Sequence, residues 1–219
     1  KALQAKGAAV RAGSRDPQRA EALLGAPTVA WDWERPQAFA QALQGVEALF
    51  LLTPTGTTSE LAYGLSAVQA AAQAGVKKIV KLSAIGVENM PDSPHRQIEL
   101  AVEKGGFSWC FLRPSFFMQN LSTTHREEIQ QRNEIFIPAG KGKTAFVDAR
   151  DLAAVAVKAL TEPGHENKAY PLTGSEALDY FTVAAMLSDV LGRTITYTDP
   201  SPLGFAWAMR QQGQPWDYI

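Results

Sequence analysis

The chain has 219 residues, of which 46% are hydrophobic and 20% are charged, and its formal net charge is −1. This balance is ordinary for a globular protein and offers no basic surface for nucleic acid. The apolar runs are too short for a membrane-spanning helix, and one cysteine, Cys110, excludes an internal disulfide framework. We therefore expect a cytoplasmic protein with no direct nucleic-acid partner and no membrane partner.

Strands and helices are predicted to alternate along much of the chain, which is typical of a parallel sheet covered on both faces. The predicted strands are 8–15, 27–33, 46–54, 77–84 and 107–114, with a short strand before a helix in 144–160 and a last strand at 194–199. The predicted helices follow Asp16 and then cover 36–43, 61–75, 95–105 and 180–192. The fold class is therefore α/β.

Helix ends and faces carry their own signals. Asp16 before Pro17 is typical of an N-terminal cap, and Asp151 occupies the equivalent position before LAAVAVKAL. Gly7 and Gly192 are predicted to end helices. Helical spacing places one apolar face in 61–75. That predicted face consists of Leu61, Leu65, Val68, Ala72 and Gly75.

Three segments carry a family resemblance: KKIVKLSAIG at 77–86, GFSWCFLRPSFFMQN at 106–120 and TAFVDARDLAAVAVKAL at 144–160. Their order resembles the NmrA-like family, an atypical branch of the short-chain dehydrogenase/reductases with azoreductase-like and quinone reductase-like members. The resemblance implies a Rossmann-like, doubly wound parallel sheet with a small α+β C-terminal cap. It implies one NAD(P)-binding domain over 1–219.

Within that domain, the nucleotide-binding part is expected mainly in 1–120 and 144–160, and the substrate cap mainly in 121–143 and 161–219. Members of the family begin with a strand and a G-x-x-G-x-x-G turn, and no such turn occurs in this sequence. KALQAKG indicates the end of the helix after that turn. We expect a sheet without its first strand and a chain incomplete at both ends, because QQGQPWDYI also stops without closing an element.

In open α/β sheets, ligands bind beyond the carboxyl ends of the strands. Ser14 and Arg15 end the first predicted strand, and Arg19 follows one helical turn later. Arginine suits a ribose 2′-phosphate, so the resemblance implies NADP(H) as the preferred cofactor, with NAD(H) as the alternative. The competing interpretation is that Arg15 is a solvated turn residue.

The next two strand ends supply further cofactor contacts by resemblance. Asp32 and Trp33 are expected to contact adenine; alternatively, Asp32 caps the next helix and Trp33 is a half-buried surface aromatic. Leu52, Thr53 and Pro54 are expected beside the ribose and pyrophosphate, and Pro54 also explains why its strand stops.

The catalytic residues depart from the superfamily pattern of a Ser with a Y-x-x-x-K pair. No tyrosine here has a lysine four residues later, and His95 and Glu99 stand where that pair would be. Ser83 matches the serine and, with Leu82, is expected to contact the cofactor. His95 is a candidate proton donor. The alternative is that His95 and Glu99 form a pair on the helix surface.

The LRPSFFMQN segment is implied to form the nicotinamide and substrate pocket. The predicted nicotinamide contacts are Pro114, Ser115 and Phe116, and the predicted substrate contacts are Phe117, Met118 and Asn120. The alternative is that some of the aromatic side chains belong to the core of the cap. Aromatic and methionine side chains suit a flat, apolar substrate.

Arg113 ends a buried strand, so its guanidinium is expected to pair with a carboxylate, and Asp148 and Asp151 are the candidates. No metal site is expected, because the three histidines lie far apart in the sequence.

The resemblance implies an NADPH-dependent oxidoreductase that reduces small aromatic acceptors such as quinones or azo compounds. The alternative is a non-catalytic sensor of NADP(H) that binds a regulatory protein partner, for which loss of the Tyr-Lys pair would be permitted. NADPH oxidation with a panel of quinones distinguishes the two. The natural substrate stays open, and so does the choice between a homodimer and another oligomeric state.

Overall fold

A computed structural model describes residues 1–55, 57–211 and 213. Most of the predicted open end, QQGQPWDYI, lies outside the described residues, as does Gly56 of the turn after Pro54. The described chain divides into two compact units. Unit 1 comprises Lys1–Arg113 and Leu152–Pro171, and unit 2 comprises Pro114–Asp151 and the chain from Leu172.

Short strands and longer helices alternate through both units. The strands are β1 (Ala12–Ser14), β2 (Thr28–Ala30), β3 (Ala48–Leu51), β4 (Lys78–Leu82), β5 (Ser108–Pro114), β6 (Glu134–Phe136), β7 (Lys143–Thr144), β8 (Lys168–Leu172), β9 (Leu178–Asp179) and β10 (Thr196–Thr198). The α-helices are α1 (Ala2–Ala5), α2 (Pro17–Leu24), α3 (Phe39–Ala42), α4 (Glu60–Gln73), α5 (Pro94–Lys104), α6 (Ala149–Thr161), α7 (Tyr180–Leu191) and α8 (Pro202–Gln211). The 3-10 helices are Pro36–Ala38, Val87–Asn89 and Met118–Ser122, and Glu128–Arg132 is a π-helix.

Unit 1 contains parallel strand pairs. β1 and β2 pair in parallel, with Ser14 beside Ala30. A second sheet has the order β3-β4-β5-β8, in which β3, β4 and β5 are parallel neighbours. Because crossover helices connect these strands, the predicted α/β class with a parallel sheet is confirmed.

The core of unit 1 lies between this sheet and helices α3, α4 and α5. Its fully buried side chains include Phe39, Ile79, Ile98 and Phe111. Apart from Glu60 in its first turn, the buried residues of α4 are small residues and one valine: Gly64, Ala67, Val68, Ala70 and Ala71.

The predicted face of this helix was therefore wrong at three positions, since Leu65, Ala72 and Gly75 are exposed, and Gly75 lies beyond the end of α4. The physical reason is close packing against α5. A Cβ atom at Gly64 would overlap the side chain of Ile98, so only a residue without one fits there unless the neighbours shift.

The caps explain where several helices begin and end. A carboxylate oxygen of Asp16 accepts a hydrogen bond from the Arg19 amide at 3.1 Å, which confirms Asp16 as the cap of α2. Gly7 and Gly192 follow their helices with φ of +73° and +65°, as predicted. The predicted cap Asp151 was wrong. α6 begins at Ala149, and Asp148 accepts from the Arg150 amide at 2.7 Å.

Unit 2 has its own core and strand pairs. β6 pairs in parallel with β10, and β7 pairs antiparallel with β9. Ile135, Phe146 and Tyr180 are buried in the core of this unit. Among the helices in the described part of the chain, none combines the length and the apolarity that crossing a membrane requires.

Candidate functional site

The ends of β1 and β2 carry the residues predicted to hold the adenosine half of a cofactor. The two strands are in register there, and the Trp31 amide donates to the Ser14 carbonyl at 2.9 Å. Arg15 and Arg19 are exposed, and within the described residues neither guanidinium forms an ion pair or a hydrogen bond. Two uncompensated cations beside a strand end have the donor chemistry that a phosphate monoester requires.

Asp32 and Trp33 are already engaged by their neighbours. Asp32 accepts from the Glu34 amide at 3.1 Å, and its carboxylate lies 3.6 Å from the guanidinium of Arg35. The idea that Asp32 caps the next helix was wrong, because it forms a turn before that helix begins at Pro36.

The Trp33 ring packs against an aromatic cluster, with centroid distances of 5.5 Å to Trp31 and 5.4 Å to Phe39. Trp33 is half-buried, so that description of it is confirmed. Its contact with adenine, like that of Asp32, stays a prediction.

The end of β3 presents one exposed and one buried side chain. Leu52 is 53% exposed, whereas the Thr53 hydroxyl is buried and donates to Oε1 of Glu60 at 3.0 Å. Pro54 is half-buried. Thr53 is therefore tied to α4, and Leu52 is the more accessible member of this predicted contact group.

A buried polar cluster lies where β4, α4 and α5 meet. The Nζ atom of Lys81, which is fully buried, is 3.0 Å from Nδ1 of His95 and donates to the Leu82 carbonyl at 2.9 Å. The same Nδ1 atom lies 3.4 Å from Oε1 of Glu60. Three titratable groups, Glu60, Lys81 and His95, thus lie within one small volume, where perturbed pKa values are expected.

A second group of charges surrounds Glu99, which is fully buried on α5. Arg113 binds both of its carboxylate oxygens at 3.0 and 2.8 Å, and Arg96 adds a contact at 2.9 Å. A further nitrogen of Arg113 is 3.1 Å from Glu88.

These contacts correct two expectations. Arg113 does pair with carboxylates, but they belong to Glu99 and Glu88 rather than to Asp148 or Asp151. Asp148 is bound instead by the neighbouring Arg150 at 2.6 Å. The surface pair of His95 and Glu99 was also wrong, because Glu99 faces the interior and its partners are arginines. The helix turns both side chains towards the sheet, where a polar group must find a partner.

Burial perturbs the acid–base behaviour of the cluster. Desolvation, with help from the charge of Lys81, lowers the pKa of His95 to about 4, against an opposing effect of Glu99. Desolvation also lowers the pKa of Lys81 to about 8, although Glu99 and Glu60 oppose it. Burial raises the pKa of Glu60. For Glu99, burial is outweighed by the hydrogen bonds from Arg113, Ser83 and Arg96, so its pKa is lowered.

Ser83 follows β4 and borders the same cluster. It is buried, its amide donates to the Leu112 carbonyl at 2.7 Å, and its hydroxyl has no hydrogen bond of normal geometry among the described residues. The hydroxyl does lie near the Glu99 carboxylate and contributes to its lowered pKa. The structure thus brings the two predicted catalytic residues, Ser83 and His95, to one cluster, while their roles stay predictions.

The remaining predicted site residues belong to unit 2. The Ser115 hydroxyl donates to the Ala145 carbonyl, and the Phe116 ring packs against Phe146 and Tyr180 at 5.6 and 6.4 Å. Phe116 therefore belongs to the packing of this unit, as the alternative held. Met118 is 46% exposed.

Of the other members of this group, Pro114 is buried, and Phe117, Asn120 and the side chain of Ser115 are half-buried. The contacts of all these residues with nicotinamide or substrate, those of Phe116 and Met118 included, stay predictions, and so does the contact of the half-buried Leu82 with the cofactor.

Sequence reasoning missed Lys81 and Glu60. The available signal was the second lysine of KIVKL, Lys81, which follows the fully buried Ile79 and Val80 in the strand. In a strand covered on both faces every side chain is buried, so such a lysine must find polar partners. The partner Glu60 gave no such signal, because a glutamate in the first turn of a helix is common.

Comparison with known proteins places these features in a family. The model of the NmrA-like family matches residues 1–203. The NAD(P)H azoreductase of Xenophilus azovorans is 39% identical over 209 residues, which cover 92% of this chain and 72% of that protein. Quinone oxidoreductase 2 of Escherichia coli is 30% identical over 207 residues, with the same two coverages.

Solved structures agree. An NADPH-dependent quinone oxidoreductase of Escherichia coli, in complex with NADPH, superposes with a TM-score of 0.85 at 28% identity over 99% of this chain and 78% of that one. The triphenylmethane reductase of Citrobacter sp., in complex with NADP(H), gives 0.81 at 25% identity over 99% and 80%. The resemblance inferred from the three segments is confirmed, and the chain belongs to the NmrA-like family.

Proposed function

We propose that this protein is an NADPH-dependent oxidoreductase that reduces small aromatic acceptors such as quinones and azo compounds. Its relatives support the reaction class, since they include an azoreductase, a quinone oxidoreductase and a triphenylmethane reductase. The observation in this chain that carries the cofactor preference is the pair of exposed guanidiniums of Arg15 and Arg19 after β1, which have no partner among the described residues. An acidic residue would be expected there for NADH, and the nearby Asp16 is engaged instead as the cap of α2.

In this proposal, Arg15 and Arg19 bind the 2′-phosphate of the cofactor, and the exposed Leu52 lies beside its ribose. The bound cofactor supplies a hydride from its reduced nicotinamide. The protein itself then has to bind the acceptor and to supply one proton to it. Ser83 and His95 are the proposed residues for that task, because they lie at a buried cluster in which a lysine and a histidine have perturbed pKa values.

We test the cofactor assignment by titrating NADPH and NADH against the purified protein and its Arg15→Ala and Arg19→Ala variants. Loss of a charge-assisted contact predicts NADPH binding weaker by about 10-fold or more, with NADH binding unchanged. Gln18→Ala is the matched control, since Gln18 is an exposed, uncharged residue of the same helix. Equal binding of the two cofactors, together with unchanged NADPH affinity in Arg15→Ala, would refute the assignment.

A second candidate is a non-catalytic sensor of NADP(H) that binds a regulatory protein. The absence of any Y-x-x-x-K pair favours it. The two functions separate in one assay, in which NADPH absorbance is followed with a panel of quinones and azo dyes. A sensor binds the cofactor but shows no loss of absorbance that depends on an acceptor. We also propose a cytoplasmic location, which is supported by the single, buried, unpaired thiol of Cys110.

A further inference from the structure

One chain of polar contacts in unit 1 runs from the interior to a partly exposed histidine. The Thr53 hydroxyl donates to Glu60, Glu60 lies 3.4 Å from Nδ1 of His95, and the same Nδ1 is 3.0 Å from Nζ of Lys81. Thr53, Glu60 and Lys81 are buried, whereas 20% of the His95 side chain is exposed. The imidazole is therefore the member of this chain that reaches solvent.

The direction of the hydrogen bond between Lys81 and His95 fixes which ring nitrogen carries the proton. An ammonium group has only donors, so Nδ1 must accept from it. The neutral imidazole then carries its hydrogen on Nε2, and no described residue accepts a hydrogen bond from that atom. The group at the accessible edge of the ring is thus an unused N–H donor.

Burial and the charge of Lys81 favour this neutral form against the two nearby carboxylates. Glu60 faces the imidazole from α4, Lys81 from β4 and Glu99 from its own helix, and Arg113 on β5 neutralises Glu99. Burial and the adjacent ammonium lower the pKa of His95 to about 4, so the ring is uncharged near neutral pH. The pKa of Lys81, lowered to about 8, makes its ammonium a better proton source than an ordinary lysine.

We propose that Lys81 is a positioning residue that holds His95 as the Nε2–H tautomer and supplies a proton to Nδ1 when Nε2–H protonates the reduced acceptor. This inference rests on the proposed reductase function. The acceptor gains a hydride with its electron pair and becomes an anion. The Nε2–H bond then breaks, its proton bonds to that anion, and a new Nδ1–H bond forms with the proton of Lys81.

The exchange leaves a neutral imidazole and a neutral amine, so no imidazolium accumulates. The new Nδ1–H faces Oε1 of Glu60, which can accept its hydrogen bond. The amine regains its proton from solvent through the same ring before the next cycle. The relay therefore does the work of the missing Tyr-Lys pair with a histidine from α5 and a lysine from β4.

The first test needs no cofactor. In the ligand-free wild-type protein, ¹⁵N NMR of the His95 ring is expected to show a protonated Nε2 and an unprotonated Nδ1 near neutral pH. In Lys81→Met, the ring is expected to place its hydrogen on Nδ1, facing Glu60, and its pKa is expected to rise because the adjacent positive charge is gone. Lys78→Met is the control, since Lys78 lies on the same strand but binds Ala159 and Glu166.

The second test compares acceptors that differ in their need for a proton. Hydride addition to an azo group leaves a strongly basic nitrogen anion, whereas addition to a quinone leaves a weakly basic phenolate that water can protonate. Lys81→Met is expected to lower kcat for an azo dye by about 10- to 100-fold, and kcat for a quinone by less than about 3-fold. KM is expected to change little for either acceptor, and Lys78→Met is expected to match the wild type.

The outcomes are separable. A protonated Nδ1 or an imidazolium in the wild type near neutral pH overturns the inference, and so does an equal loss of kcat for both acceptors, which would indicate a structural role only. In both cases the proposed function stands if the wild type still oxidises NADPH with an acceptor. If the wild type turns over no acceptor at all, the proposed function fails and the proton donation fails with it.

Discussion

Replacing Glu99 with glutamine tests how much the group of charges around Glu99 contributes to stability. Glu99 accepts three hydrogen bonds from two arginines, and its side chain has no exposed surface. Glutamine keeps the size of the side chain. It removes the charge, however, and places an amide N–H₂ group where a guanidinium donor points. The variant therefore leaves Arg113, whose side chain is only 14% exposed, without its main counter-charge.

Removing one partner of a buried ion pair costs about 3–5 kcal/mol. We expect the lower end, about 3 kcal/mol, because Arg113 keeps its contact with Glu88 and Arg96 keeps its contact with Glu103. For a chain of this size each kcal/mol lowers Tm by roughly 2–4 °C, so the melting temperature should fall by about 6–12 °C.

Urea unfolding followed by circular dichroism, together with thermal unfolding, measures this loss. The matched control is Glu103→Gln, one helical turn away, where the carboxylate is 29% exposed and pairs with a single described residue, Arg96. It should cost less than about 1 kcal/mol, as partly exposed pairs do. A loss in Glu99→Gln that equals the control would refute the view that this buried carboxylate holds the two arginines in place.

The pH dependence of the free energy of unfolding gives an independent check that the ionised Glu99 stabilises the fold. The pKa of Glu99 is lower in the folded protein than its ordinary value of 4.5. Its contribution to stability is therefore fully present above that value and is lost as pH falls through the lowered folded pKa. The difference in unfolding free energy between wild type and Glu99→Gln should be constant near neutral pH and shrink below about pH 4.5.

Three further outcomes are expected. The pKa of Lys81 is about 8 in the folded protein, against an ordinary value of 10.5. Between these two pH values the unfolded chain therefore binds more protons than the folded one. The free energy of unfolding of the wild type should rise by up to about 3 kcal/mol as pH increases through that interval. Lys81→Met should lack this gain and Lys78→Met should keep it, as urea titrations at several pH values would show. Gly64→Ala should destabilise by about 1–3 kcal/mol, because its Cβ would overlap the buried Ile98, and an unchanged urea midpoint would contradict that packing. Burial raises the pKa of Cys110 to about 11, so a thiol reagent should modify it only after unfolding, and fast labelling of the native protein would contradict this.

The fold could be predicted from sequence where one local signal decides it. An aspartate before a proline, as in Asp16-Pro17, favours the start of a helix, and a glycine such as Gly192 readily adopts the left-handed conformation that ends one. The alternation of apolar strands and helices likewise indicated a parallel sheet. The face of α4 was less predictable, because its buried positions are set by how closely α5 approaches and not by hydrophobicity. Exposed Leu65 and buried Gly64 reverse the order that hydrophobicity alone would give.

The sequence indicated that a buried charge needs a partner more readily than it indicated which residue that partner is. A guanidinium at the end of β5 required a carboxylate, and that requirement was met. Which carboxylate it binds depends on the rotation of α5 about its axis, and the sequence spacing of Glu99 and His95 does not reveal that rotation. Asp148 was the wrong candidate because the arginine two residues later already neutralises it. A pair two residues apart loses less chain entropy on forming than a pair distant in the sequence, so the local pair is favoured.

The buried charges of unit 1 fall into two parts with different consequences. Around Glu99 each charge meets an opposite one at hydrogen-bond distance, so burial is compensated and the carboxylate stays ionised. Around His95 the arrangement differs. The ammonium of Lys81 and the carboxylate of Glu60 both lie beside an imidazole that stays neutral, so neither of them pairs with an opposite charge on the ring. A site built only for stability would gain by replacing Lys81 with an apolar side chain. Stability alone therefore does not account for a lysine at this position, whereas the proposed proton transfer does, since the partly exposed imidazole of His95 lies 3.0 Å from Nζ of Lys81.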